Sequence, residues 1–343
     1  MKRNLFAVMT VMLVLISLPA GLFGYQAWRT GQLAWAAGVR VVDIVARSPE
    51  QGGFAPDHLV LKAGEPVRLR ISSPDVVHGL NIPGLGVDVK EILPGRVVEV
   101  DIKPEKPGRY AFACTRWCSI DHWRMRGVIE VKADAAHPAA QETQTAPLYQ
   151  KLGVNLDAVW PMDGPRPAQT PSAERAAAAS SGLPESLLDP SQRVATAPAD
   201  AFRQLRADPA HSQLGDGEIW DQVAWAWLHD VKPETLSMAG SLYSRDCAAC
   251  HGPQGKGDGP AGRNLPGMQK MDATGDGASP PAGPADFTDP ARMLNASDVV
   301  LQGKILRGGM GTGMPEFGSL YTDDELWAMV QYIRTFLFQP AGK

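Results

Sequence analysis

"RYAFACTRWCSIDHWRMRGVIEVK", residues 109–132, reads as a β-strand, a run of soft metal ligands and a second strand. The flanking segments "RYAFAC" (109–114) and "GVIEVK" (127–132) are short and rich in β-branched and aromatic residues. Between them Cys114, Cys118, His122 and Met125 fall in the pattern C-x3-C-x3-H-x2-M. Thiolate, thioether and imidazole together suit copper. One cysteine with a histidine and a methionine would make a mononuclear site, whereas two cysteines four apart on one loop let each sulfur bridge two metals. Zinc wants a closed four-ligand set, in which methionine is a poor member. Upstream, "RVVDIVA" (40–46), "PVRLRIS" (66–72) and "RVVEVDI" (96–102) are further strands, and "KAGEP", "LPGR" and "EKPGR" are turns. Short, evenly spaced strands with such turns predict a β-sandwich or barrel.

The ligand pattern, with "SPDVVHGLNIPG" (73–84) upstream, resembles the dinuclear CuA centre of cytochrome c oxidase subunit II, found also in nitrous oxide reductase. The resemblance implies a cupredoxin fold. It implies that Cys114 and Cys118 bridge two coppers, that His78 and His122 bind one each, and that Met125 is a weak ligand. It implies that the backbone carbonyl of Arg116 completes the site; Asp75, three residues before His78, is the candidate for orienting the ligand loop. Two positions depart from the family, which usually has Glu or Gln where Arg116 stands and Gly where Ser119 stands. Arg116 cannot take the magnesium ion that an acidic residue often holds there. Trp117 and Trp123 flank the ligands, either as an electron-entry surface or as packing for the loop.

"CAACH", residues 247–251, is C-x-x-C-H. This pattern attaches haem c: both cysteines add to the vinyl groups and the histidine binds the iron. The wider segment "AGSLYSRDCAACHGPQGKGDGPAG" (239–262) resembles class I cytochromes c, with Gly240 and Tyr243 leading into the motif and Trp327 and Tyr332 on the last helix. The resemblance calls for a second axial ligand after the motif, and methionine would raise the potential. The candidates are Met268, Met271, Met293, Met310 and Met314. "GTGMPEFG" (311–318) resembles the family's ligand loop, which selects Met314, with Met310 as runner-up.

The 343 residues carry a net charge of −4 and 20% charged residues, with no basic stripe of the kind nucleic acid requires. Leu5–Gly24 is an uncharged run of 20 residues behind Lys2 and Arg3. Its length suits a single transmembrane helix with an outward-facing remainder; a cleaved signal peptide is the rival reading. Both readings export the chain. An exported protein with four cysteines suggests two disulfides, but each pair here sits inside a motif that uses both sulfurs.

The expected fold class is therefore multidomain: one transmembrane helix, an all-β cupredoxin sandwich and an all-α class I cytochrome c domain. The expected segments are an anchor over 1–30, the CuA domain over 38–134, an Ala/Pro-rich linker over 135–213, an amphipathic helix over 214–232 and the cytochrome c domain over 233–343. "DGEIWDQVAWAWL" (216–228) repeats the pattern of "DDELWAMVQYIRT" (323–335). This marks either a remnant of a cytochrome terminal helix or two unrelated amphipathic helices.

No catalytic triad, paired carboxylates or phosphate loop stands out, and both metal motifs suit one-electron transfer. The resemblance implies an electron-entry subunit of a haem-copper oxygen reductase in a bacterial cytoplasmic membrane, its metal domains on the periplasmic side. Electrons would pass from a soluble or membrane cytochrome donor to haem c, to CuA and on to a haem-copper catalytic subunit I. A haem-copper nitric oxide reductase is the alternative partner. A copper-delivery protein or stand-alone carrier is a third reading, which a full CuA set beside a haem argues against.

Overall fold

The computed structural model describes residues 39–119, 121–138, 146–158, 163–177, 182–262, 283–309 and 313–340. The expected membrane segment lies outside the described residues, as do Met268, Met271 and Met310. No described helix is long and apolar enough to cross a membrane. The chain divides into two compact units.

The first unit is a β-sandwich. One sheet contains β1 (Arg40–Ala46), β2 (Phe54–Ala55), β4 (Val67–Ser72) and β7 (Val97–Ile102), in the order β2-β1-β4-β7. The other contains β3 (His58–Lys62), β5 (His78–Ile82), β6 (Val87–Ile92), β8 (Gly108–Ala113) and β9 (Arg126–Lys132), in the order β3-β9-β8-β5-β6. Strict alternation sets the inner faces. In β4, Val67, Leu69 and Ile71 are buried while Arg68, Arg70 and Ser72 are only partly covered. Leu61, Leu80, Ile82, Ile92, Phe112 and Ile129 bring the second sheet into the core. Both sheets are mixed: β1 pairs with β4, and β3 with β9, in parallel, while β8 and β9 are antiparallel.

Phe112 packs edge-on against Phe54, ring centroids 5.2 Å apart. Opposite it on β9, Gly127 leaves the space this ring needs. A Cβ there would sit 2.2 Å from the Phe112 ring and 2.4 Å from the Asp57 carbonyl. The β8–β9 pair therefore tolerates no side chain at 127, and this pair carries the metal loop.

The second unit is helical. Its cytochrome-like part holds α7 (Pro233–Asp246), α8 (Ala248–His251), α9 (Pro290–Met293), α10 (Asp298–Arg307) and α11 (Asp323–Arg334). Helices α7 and α11 pack together at Gly240, whose missing side chain admits the Tyr332 ring; a Cβ would lie 3.0 Å from it. Tyr243 is buried at the same crossing, 5.3 Å from Tyr332 and 5.2 Å from Phe336 between centroids. Thr322 and Glu325 form a reciprocal capping box on α11.

The expected linker over 135–213 is corrected in most of its described part. It contains α1 (Leu148–Lys151), α2 (Ala173–Ala176), α3 (Glu185–Leu188), α4 (Pro190–Arg193) and α5 (Pro198–Ala207). Its alanines are core residues: Ala173, Ala176, Ala199 and Ala201 are all buried. Small side chains let short helices approach α6 (Asp216–Leu228) closely, and Phe202 stacks on Trp220 at 4.5 Å. Helix α6 is also more than amphipathic. Nine residues from Ile219 to Leu228 are buried, including Asp221, which receives Arg175 and the Ser172 amide.

Gly127→Ala is expected to destabilise the sandwich by about 1–3 kcal/mol, as overpacking does. A urea midpoint unchanged from wild type would contradict the close-approach role.

Candidate metal centres

The loop 114–125 is fixed where β8 ends and β9 begins. The Cys114 amide donates to the Met125 carbonyl at 3.0 Å and closes it. Inside, a short 3-10 turn spans His122–Arg124, with the Met125 amide donating back to the His122 carbonyl at 2.9 Å. The turn buries the His122 ring. Cys118 Sγ lies 3.5 Å from His122 Nδ1 and 3.7 Å from Met125 Sδ. Cys114 Sγ lies 3.3 Å from the Arg116 carbonyl oxygen, while the Arg116 side chain is exposed.

His78, at the start of β5, completes the cluster. Ligand atoms of His78, Cys114 and Cys118 all lie within 4.8 Å of one another. The His78 ring is fully buried, and its Nε2 is 2.9 Å from Asp75 Oδ1. Asp75 also accepts from the Ser48 amide and hydroxyl, the Ser73 hydroxyl and the Val76 amide, at 2.7–3.1 Å. Burial opposes ionisation of Asp75, but the bonds from Ser48, His78 and Val76 outweigh it and hold the carboxyl well below the usual range. An ionised carboxylate only accepts, so His78 Nε2 carries the proton and the Nδ1 lone pair is left for a metal.

The haem motif is held as locally. The Cys250 and His251 amides both donate to the Cys247 carbonyl, at 3.1 and 2.9 Å, so one helical turn carries all three side chains. His251 is buried and stacks on Phe287, centroids 4.4 Å apart. Its Nδ1 donates to the Ala285 carbonyl at 3.0 Å. Burial pulls its pKa down to about 4, so the ring is neutral near pH 7 and Nε2 keeps its lone pair for iron. Burial pushes the Cys250 thiol up to about 11. Tyr243 donates to the Gly252 carbonyl at 2.7 Å and pins the turn to α7. No disulfide joins the four cysteines.

Among the later methionines, Met293 is buried in the helical core, whereas Met314 is only half-buried, in the loop before α11. The Gly309 amide donates to the Met314 carbonyl at 3.1 Å. Trp117 is 54% exposed, with its ring 6.1 Å from that of His122, and Trp123 is half-buried beneath Arg124. Ser119, beside Cys118, has a buried hydroxyl with no hydrogen-bond partner among the described residues.

Sequence reading missed three contributors: Ser48, which anchors Asp75 from 27 residues away, and Ala285 and Phe287, which orient His251. Only Phe287 carried a signal, as an aromatic residue within a Gly/Pro-rich stretch.

Comparison with known proteins agrees at the level of domains. Residues 7–131 match the cupredoxin-like domain family and residues 239–336 match the cytochrome c family. The chain is similar to cytochrome c oxidase subunit 2 of Thermus thermophilus, 36% identical over 80 residues, which cover 23% of this chain and 58% of that protein. Cytochrome c oxidase subunit 2 from a second Thermus thermophilus strain is also 36% identical over 80 residues, 23% of this chain and 47% of that protein. The chain thus spans about half the length of the curated relatives it matches. Among solved structures, a haem-copper terminal oxidase dimer matches at 26% identity over 38% of this chain and 99% of that one, with a TM-score of 0.25. The periplasmic domain of subunit II of the Bradyrhizobium japonicum cytochrome oxidase matches at 21% identity over 28% of this chain and 85% of that one, with a TM-score of 0.24. The chain carries a cupredoxin-like domain and a cytochrome c domain, and with them copper and haem c.

Asp75→Asn places a neutral amide against His78 and loosens its tautomer. Copper affinity is expected to fall about 10–100-fold in a chelator competition, as for other residues that orient metal ligands. Unchanged affinity would remove Asp75 from the site.

Proposed function

We propose that this chain is the electron-entry subunit of a membrane haem-copper oxygen reductase. The convergence of His78, Cys114 and Cys118, with His122 and Met125 against Cys118, carries the reading. Two thiolates, two imidazoles, a thioether and a carbonyl are the donors a dinuclear copper centre requires, and they suit a soft metal. In this reading Cys114, Cys118, His78, His122, Met125 and the Arg116 carbonyl would hold the two coppers, with the two thiolates shared between them. Cys247 and Cys250 would hold haem covalently, and His251 and Met314 would ligate its iron.

When bound, copper and haem would supply one-electron transfer between a cytochrome donor and a catalytic subunit I. The chain's own residues hold the geometry fixed so that little reorganises when charge changes. Asp75 locks one imidazole, the Ala285 carbonyl another, and the 114–125 closure fixes the thiols. Tethering both centres on one chain replaces diffusional encounter by a linker-set effective concentration. The apolar run at Leu5–Gly24 would anchor the chain in the cytoplasmic membrane with both metal domains on the periplasmic side.

The alternative, electron entry to a haem-copper nitric oxide reductase, draws on Arg116 and Ser119, which depart from the oxidase pattern at the copper loop. The complex purified from membranes distinguishes the two: oxygen turnover supports the first, and nitric oxide turnover without oxygen turnover supports the second. Purification without any large haem-copper subunit would contradict both.

Met314→Leu is expected to abolish the low-spin Met–His haem spectrum of the full chain. Loss of that spectrum in Met310→Leu alone would assign the ligand to Met310.

A further inference from the structure

The helical unit contains a cavity of about 430 Å³ that shares no lining residue with the copper or haem motifs. It lies among α1, α4, α6, α10 and α11. Trp227 and Trp327 provide aromatic surface, and Leu148, Leu152 and Val330 provide aliphatic surface. Two arginines, Arg193 and Arg334, reach it while only 4% and 1% exposed.

The two arginines are in different situations. Arg334 makes four hydrogen bonds: it donates to Asp298 Oδ1 through Nε and one terminal nitrogen at 2.8 and 2.7 Å, and to the Met293 and Ala296 carbonyls at 2.9 and 2.6 Å. The same Asp298 oxygen also accepts from Trp227 Nε1 at 3.0 Å. All three of these bonds fall on Asp298 Oδ1. Arg193 has no carboxylate bonded to it among the described residues. One of its terminal nitrogens donates to the Leu187 and Leu188 carbonyls, at 2.7 and 3.4 Å, and its guanidinium lies 5.2 Å over the Trp227 ring. Its Nε–H is buried with no hydrogen-bond partner among the described residues. Asp298, Asp230 and Asp189 act on it only through space. A guanidinium does not shed its proton, so burying one without a bonded anion is costly unless something supplies the anion.

We propose that this cavity binds a small monocarboxylate with an apolar body, its carboxylate taken by Arg193 and its body lying against Trp227 and Trp327. Two arginines and one carboxylate, Asp298, line the cavity, and Arg193, which bonds no carboxylate among the described residues, selects one negative charge. The aromatic and aliphatic walls select an apolar remainder over a hydrated ion. The site is built where the Ala/Pro-rich extension covers α11, so an occupant would tie that extension to the haem-bearing helices.

Calorimetric titration of the haem-loaded full chain with benzoate, and with benzamide as its neutral isostere, tests this. Saturable benzoate binding is expected, with benzamide roughly tenfold weaker or more, as for loss of a charge-assisted hydrogen bond. Leu152→Trp, at a half-exposed wall position, should block benzoate with the haem spectrum intact, and Arg193→Gln should weaken it about as much as the switch to benzamide does. If Arg193→Gln fails to fold, Leu152→Trp together with the isostere comparison decides. Absence of saturable benzoate binding, equal binding of the two probes, or undiminished benzoate binding in either folded variant overturns the assignment.

Discussion

The bond between the Cys114 amide and the Met125 carbonyl is the constraint on which the copper loop depends. It makes the excursion from 114 to 125 a closed loop whose ends are held by the β8–β9 ladder. Four side chains that would sample many arrangements in a free peptide are confined to one. Glycine at 127 allows that ladder to close over Phe112, so a core-packing requirement and a ligand-placing requirement meet in the same pair of strands.

Ordering a soft metal site also requires each imidazole to present the correct nitrogen. His78 and His251 solve this by the same device with different acceptors. Asp75 accepts from the Nε2–H of the first and leaves Nδ1; the Ala285 carbonyl accepts from the Nδ1–H of the second and leaves Nε2. Asp75 can remain ionised while largely buried because Ser48, Ser73 and Val76 also donate to it. The anchor of the copper site thus extends back to the turn after β1.

What could be read from sequence was local. C-x3-C-x3-H-x2-M and C-x-x-C-H fix ligands by spacing within one loop or one helical turn, and strand alternation in 67–72 marks one face as core. Partners at long separation were legible only where the family resemblance supplied them, as for His78. A period of two does not say that β1 pairs in parallel with β4, and nothing near Ser48 points to Asp75. Composition misled over 146–213. Alanine and proline there read as linker, but Ala173, Ala199 and Ala201 are small because helices pack closely over them, and Pro190 and Pro198 start helices. The similar segments 216–228 and 323–335 also diverge in the fold, with Trp220 buried at 1% exposure and Trp327 left at a cavity wall.

The central claim is that one loop and His78 hold two coppers rather than one. Electron paramagnetic resonance of the copper-loaded, haem-bearing full chain, with metal analysis on the same sample, tests it most directly. The account predicts two coppers and one iron per chain, and a purple species whose unpaired electron is shared equally by two copper nuclei. A single copper per chain, with hyperfine structure from one nucleus, would contradict it.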